Sequence, residues 1–307
     1  MGSGRWSADS YQAAAAYRAA RGEDAFGYDA ELRRTRHRRD WTAHPSLDPF
    51  GLGVREARDS EEHPRSVPIA VLFDVTGSML NVPRRLQQRL PALFGLLQRK
   101  EYVAHPQLLF GAVGDATCDV VPLQLGQFES DNRMDEQLGR ILLEGGGGGQ
   151  KTESYELAAY AMARHTALDC LERRERRGYL FLIGDELPYP YVSRRQVAAV
   201  LGERLSEDVP TDVIFDELQR RFDTYFLLPA AASYGGDPEV LRHWRGLLGR
   251  NVVELADVEH VCEAIALIVG VGEGVIDLRR GVRDLHDIGS RAGKGVRRAL
   301  EPVLAGR

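Results

Sequence analysis

The chain predicts an α/β fold: a doubly wound, mainly parallel sheet with helices on both faces and one antiparallel edge strand. Three observations carry that expectation. Short runs apolar at every position recur after residue 67, namely PIAVLF (68–73), QLLFGAV (107–113), YLFLIG (179–184), DTYFLLP (223–229) and NVVEL (251–255). Strands covered on both faces read this way, whereas strands with one wet face alternate. Between these runs lie segments whose apolar residues return every three to four positions, the helical period. Strands separated by helices rejoin a sheet through crossovers, which makes neighbours parallel.

The elements follow in chain order. Residues 1–64 form a charged extension with a basic cluster, RRTRHRRD at 33–40, and no sustained strand pattern. One helix is expected there, SADSYQAAAAYRAAR, with Tyr11 and Tyr17 available to pack on the main domain. The domain itself is expected over 65–272. Leu86, Leu90, Leu93 and Leu97 stripe its first helix, with Pro83 at the start and Pro91 bending it. CDVVPLQ (118–124) follows the second strand too closely for a crossover, so it is the antiparallel edge strand. A helix beginning near Asp131 is expected to close on ILLE (141–144). Leu157, Ala161, Leu168 and Leu171 mark another helix, and Ile214, Leu218 and Phe222 the next. Asp237-Pro238 caps a helix carrying Leu241, Trp244 and Leu248. Val258, Val261, Ile265 and Ile268 line the last helix of the domain, and 273–307 reads as a basic, partly helical tail.

Composition excludes several classes. With 307 residues and 43% apolar side chains the chain can bury a substantial core. A net charge of −5 gives no global reason for a polyanion partner. The basic stretches at 33–39 and 279–298 have no aromatic platform between them and match no nucleic-acid module, so they read as solvated extensions. Cys118, Cys170 and Cys262 are scattered and odd in number, which fits a reducing, cytoplasmic compartment better than a disulfide framework. The longest apolar run, VCEAIALIVGVG, is too short to span a membrane and carries Glu263.

The chemistry concentrates at strand ends. The first strand closes on Asp74, Val75, Thr76, Gly77 and Ser78, which offers one carboxylate and two hydroxyls at alternating positions, with Gly77 expected to let the loop fold tightly. Thr152 follows the run Gly145 to Gly149, and Asp185 ends YLFLIG. In a doubly wound sheet such loops share the carboxyl edge where ligands bind. Taken singly, Thr76, Ser78 and Thr152 read as helix caps and Asp185 as a turn acceptor. Their convergence on one strand-end face favours a metal site. Asp115, ending another central strand, is a candidate to support the ligands from behind, and Glu153 and Glu186 adjoin ligand positions.

The D-x-T-x-S loop at 74–78, the later Thr152 and the strand-end Asp185 resemble the metal-ion-dependent adhesion site (MIDAS) of von Willebrand factor A (VWA) domains, of the bacterial cytoplasmic type. The resemblance covers residues 66–272 and implies the Rossmann-like VWA fold. It implies that Thr76 and Ser78 ligate directly, that Asp74 and Asp185 act largely through water, and that Thr152 joins or leaves with the state of the site. It further implies a protein partner whose Glu or Asp carboxylate completes the coordination, coupled to movement of the last helix. The hard oxygen donors suit Mg²⁺ or Mn²⁺, with Ca²⁺ as the next choice. Family members of this type act beside AAA+ ATPases as adaptors, so an interaction module and not an enzyme is expected.

One rival reading starts from the same residues. Gly145-x-x-x-x-Gln150-Lys151-Thr152 has the outline of a phosphate-binding P-loop, with Asp185 as its acidic strand end. A P-loop needs glycine directly before the lysine, where the backbone wraps a phosphate, and this chain has Gln150. A phosphoaspartate reaction at Asp74 would call for a second aspartate two residues on, where Thr76 stands.

Overall fold

The structure, a computed structural model, describes residues 4–51, 53–79, 81–146 and 149–305, with the side chain of Ser78 excepted. The central sheet contains β1 (Val67–Asp74), β2 (Pro106–Val113), β3 (Leu123–Leu125), β4 (Gly178–Ile183), β5 (Phe222–Pro229) and β6 (Val252–Leu255), in the spatial order β6-β5-β4-β1-β2-β3. All neighbours are parallel except β2 and β3. The chain winds outward from β1 through β2 to β3, then returns to the other side of β1 and winds through β4 and β5 to β6. The strand order therefore reverses between β1 and β4, and in such sheets ligands bind outside the carboxyl ends of the strands at that point.

Helices α1 (Ala8–Arg21), α2 (Gly27–Thr35), α3 (Asn81–Phe94) and α4 (Arg133–Gly139) precede the glycine-rich loop. Helices α5 (Tyr155–Arg164), α6 (Asp169–Arg174), α7 (Arg194–Val200), α8 (Thr211–Arg221), α9 (Pro238–Leu248), α10 (Val261–Gly272), α11 (Leu278–Asp287) and α12 (Gly293–Leu304) follow it. The continuous apolar runs divide between two cores by alternation. Ile69, Val71 and Phe73 of β1 face Leu86 and Leu90 of α3 and Ile265 and Ile268 of α10. Ala70 and Leu72 face the opposite core, with Leu157 of α5, Ile214 and Leu218 of α8 and Trp244 of α9. Because successive side chains on a strand point to opposite faces, a strand buried on both must be apolar throughout.

The predicted cap of α9 is present: Asp237 accepts from the Glu239 and Val240 amides at 2.8 and 3.2 Å, with Pro238 at the first helical position. Pro91 lies inside α3, and the chain continues into a π-helical turn at Gly95–Arg99. The terminal segments are docked elements. Trp6 stacks on Phe94 with ring centroids 4.4 Å apart, and the Tyr11 hydroxyl donates to the Gln87 carbonyl at 2.5 Å, whereas Tyr17 is exposed. At the other end, Leu285, Val296 and Leu300 are buried in the core that holds α3 and α10.

Four local expectations are corrected. The segment expected to be one helix from 157 to 171 is two helices, α5 and α6, with Thr166–Leu168 between them as a short strand. That strand pairs in parallel with Arg55–Ala57, so the extension does contribute β structure. Phe222 belongs to β5 and not to the helix before it, since α8 ends at Arg221. ILLE is not helical: α4 stops at Gly139, and 141–144 belongs to no helix or strand. The Gln124 side chain explains the last case. Its amide donates to the Leu142 carbonyl and accepts from the Leu142 amide, both at 2.9 Å, satisfying buried backbone groups as a strand partner would. Among the described residues, no helix is long and apolar enough to cross a membrane.

Candidate metal centre

Four loops meet at the carboxyl edge and are stitched by backbone bonds. Gly77 donates to the Gly146 carbonyl at 3.1 Å and Gly145 to the Val75 carbonyl at 3.0 Å, which ties the β1 loop to the glycine-rich loop. Ser154 donates from its amide to the Gly114 carbonyl at 3.2 Å, and its hydroxyl accepts from the Ala116 amide at 2.9 Å, which ties in the β2 loop. Thr152 and Glu153 pair in parallel with Leu187 and Pro188 beyond β4. Residues far apart in sequence are thereby brought against the end of β1.

Asp74, Glu153 and Glu186 are the outcome. All three are buried, and one carboxylate oxygen from each lies within 4.8 Å of the other two. Asp74 Oδ1 accepts from the Thr76 amide at 2.6 Å and the Thr76 hydroxyl at 2.5 Å, and Oδ2 accepts from the Tyr155 hydroxyl at 3.1 Å. Burial pushes its carboxyl up to about 7 against the pull of the Thr76 bonds, with the Asp185 charge adding to the rise. Burial and then the charge of Asp74 raise Glu186 to about 8. Glu153 rises furthest, to about 12, through burial and the charges of Asp74 and Glu186. Among the described residues no donor group reaches Glu153 Oε2 or Glu186 Oε2, and the two carboxyls lie close enough to share a proton. Buried carboxylate oxygens without donors are costly, and a hard cation supplies what they lack. Asp74, Glu153 and Glu186 therefore fit a divalent ion on donor chemistry, at a spacing short enough to share one.

The predicted residues fare unequally. Asp74 and Asp185 are fully buried and close enough that the Asp185 charge acts on Asp74. Asp185 Oδ2 accepts from the Tyr234 amide at 3.0 Å. Thr76 is buried and donates its proton to Asp74, which leaves its oxygen lone pairs for a further contact. The Ser78 side chain lies outside the described residues. Thr152 is half-buried and lies near enough to the Tyr189 phenol to act on its ionisation. Asp115 is buried behind the site, where it accepts from the Thr117 amide and hydroxyl at 2.8 and 2.7 Å, from the Tyr189 hydroxyl at 3.1 Å and from Gln150.

Room for a close side-chain approach is needed at a glycine other than Gly77. A Cβ at Gly77 would meet nothing closer than 3.9 Å, whereas one at Gly184 would fall 1.8 Å from the Tyr155 phenolic oxygen. Gly184 is what admits the Tyr155 hydroxyl to Asp74. Sequence reasoning missed Tyr155, Tyr189 and Glu156. Tyr155 and Glu156 open α5 directly after Ser154, so a helix start at a ligand loop was the available signal.

Glu156 is fully buried; its Oε2 accepts from the Tyr189 amide at 3.0 Å while Oε1 has no partner among the described residues. Burial raises it to about 8. A folded-state value above the unfolded one means that its stabilising contribution is complete below about pH 4.5 and is lost as pH rises toward 8. Glu156→Gln is therefore expected to leave the melting temperature nearly unchanged at pH 5 and to raise stability by a few kcal/mol at pH 8.5. Thermal denaturation of both proteins across pH in chelator checks this; equal stability at pH 8.5 contradicts it.

Lys151 is engaged by two acidic side chains and an aromatic ring. Its Nζ lies 2.6 Å from Asp237 and 3.0 Å from Glu239, above the Tyr234 ring. The segment before the glycines is no strand of the central sheet.

No family model matches the chain, and no curated protein sequence matches it. Among solved structures, the pilus adhesin SpaC from Lactobacillus rhamnosus GG in its open conformation is similar over 68% of this chain and 30% of its own, at 10% identity and a TM-score of 0.47. A second structure of that adhesin is similar over 67% of this chain and 31% of its own, at 9% identity and the same TM-score. The chain thus spans about a third of the adhesin's length, and a likeness of that size carries no functional inference.

Proposed function

We propose that the chain is a divalent-cation-dependent interaction module, with the ion held at the end of β1. One observation carries the reading: Asp74, Glu153 and Glu186 converge, buried, at the point where strand order reverses, with carboxylate oxygens that no donor among the described residues reaches. Asp74 is the anchor, Glu153 and Glu186 supply further oxygens, and Thr76 and Asp185 adjoin. The ion is Mg²⁺ or Mn²⁺, with Ca²⁺ next, because every nearby donor is a hard oxygen. When bound, the ion offsets the buried negative charge and offers a coordination position to an outside oxygen. The resemblance of the D-x-T-x-S loop to the VWA adhesion site supports a partner carboxylate, from Glu or Asp, as that oxygen, and an adaptor role beside an AAA+ ATPase. Recognition is favoured over turnover because Asp74 is capped by Thr76 and Tyr155 and has no second aspartate two residues on. Lys151, engaged with Asp237 and Glu239, lends the nucleotide reading no support.

Mn²⁺ titration calorimetry tests the ion, and affinity capture from native extract with Mg²⁺ or with chelator tests the partner. One bound ion per chain, with capture lost in chelator, is the expected result. Neither heat of binding nor a cation-dependent melting shift at millimolar Mn²⁺ would overturn the reading.

A further inference from the structure

The Arg38 guanidinium of the N-terminal segment bridges two of the loops of the centre. Arg38 Nε donates to Glu144 Oε1 at 3.0 Å, and Nη2 donates to Asp119 Oδ1 at 2.9 Å. Both carboxylates are 1% exposed, while the Arg38 side chain is 50% exposed. Each carboxylate passes the restraint on. Asp119 Oδ2 accepts from the Asp115 amide at 2.8 Å, which holds the loop after β2. Glu144 accepts from the Val120 and Val121 amides at 3.0 and 2.9 Å and is followed at once by Gly145 and Gly146, the residues bonded to Val75 and Gly77. A Cβ at Gly146 would come 1.8 Å from Asp119 Oδ1 and 2.6 Å from Arg38 Nη2, so the glycine loop closes directly over this junction.

We propose that Arg38 is a positioning residue for the cation centre: a clamp from the N-terminal segment that holds the loop after β2 and the glycine-rich loop in the register that sets Glu153 beside Asp74. Glycines have the most backbone freedom to lose, so contacts of this kind are needed to hold Gly145 and Gly146 in place. A planar guanidinium bridging two buried carboxylates is charge-assisted at both ends. The segment around Arg38 is itself anchored. Leu32 and Trp41 pack with Val121 and Leu142, and Arg33 lies over the Trp41 ring and donates to the Leu143 carbonyl. The clamp deepens the cation reading, but it has a consequence that does not depend on it, the order of the two loops.

The test uses the full chain as wild type, Arg38→Ala and Arg38→Lys, with Mn²⁺ calorimetry and metal-free amide hydrogen exchange. Coulomb's law alone expects loss of a positive charge near an acidic centre to tighten cation binding. The clamp expects the opposite, about 10- to 100-fold weaker Mn²⁺ binding in Arg38→Ala, with partial recovery in Arg38→Lys, which keeps the charge but not the fork. Amides in 114–121, 144–146 and 149–153 should exchange faster in Arg38→Ala, while β1, β4 and β5 stay protected. Unchanged or tighter Mn²⁺ binding with unchanged loop exchange overturns the proposal, and so does global unfolding of both variants, which would make Arg38 a support of the whole fold. If the wild type binds no Mn²⁺, the cation reading fails on its own and loop exchange alone decides the clamp.

Discussion

Asp74→Asn is expected to abolish cation-dependent stabilisation while leaving the metal-free protein folded. At a free ion concentration 100 times its dissociation constant, a ligand that binds only the native state contributes about 2.7 kcal/mol. For a chain of this size that is a melting shift on the order of 5 °C, present in the wild type and absent in the variant. Asparagine is nearly isosteric, so its carbonyl can still accept from Thr76 and its amide can face the Tyr155 hydroxyl. The substitution also removes a charge from a site where burial disfavours it. In chelator, therefore, Asp74→Asn should melt at or above the wild-type temperature, and with Mn²⁺ below it. That reversal of order separates a ligand from a structural carboxylate. Thermal denaturation in chelator and in Mn²⁺ reads it directly, and an unchanged Mn²⁺ response in the variant removes Asp74 from the centre.

The second large effect is expected from Trp244→Ala. Trp244 is fully buried and stacks on Phe226 with centroids 3.9 Å apart, with Tyr155 and Phe215 against its edges. Truncation of such a side chain costs about 3–5 kcal/mol, the lost transfer energy plus the cavity left behind. The melting temperature should fall by roughly 5–9 °C. Trp244 also connects the core to the candidate centre, since its indole N–H donates to the Glu186 carbonyl at 2.9 Å. Trp244→Phe keeps most of the apolar contact and loses that bond. It should recover much of the stability but still weaken Mn²⁺ binding, because the Glu186 backbone is released. A melting loss below about 2 °C in Trp244→Ala would show that this cluster is not the tightly packed core described.

Much of the architecture is legible one residue at a time because it follows from burial and period. IAVLF in β1 and YLFLI in β4 are apolar at consecutive positions; in β1, Ile69, Val71 and Phe73 face one core and Ala70 and Leu72 the other. The spacing from QLLFGAV to CDVVPLQ leaves no room for a crossover, and β3 is indeed antiparallel to β2. Asp237-Pro238 encodes a helix start in two adjacent residues. The misread elements share one physical origin. Thr166–Leu168 looks helical by propensity and period, but pairing with Arg55–Ala57 across more than a hundred residues makes it a strand. ILLE looks like a helix end until the Gln124 amide, remote in sequence, satisfies Leu142.

The same division runs through the centre. By itself the sequence determined the α/β class, the parallel sheet with its antiparallel edge, and the strand-end positions of Asp74, Thr76 and Asp185, because local period and turn chemistry are written in neighbouring residues. Only the tertiary structure decided that Glu153 and Glu186 join Asp74, that Gly184 and not Gly77 makes room for a close contact, and that Arg38 meets Asp119 and Glu144. These depend on where loops remote in sequence come to rest once the sheet is wound. Burial and charge acting between remote residues leave no period in the chain from which they could be read.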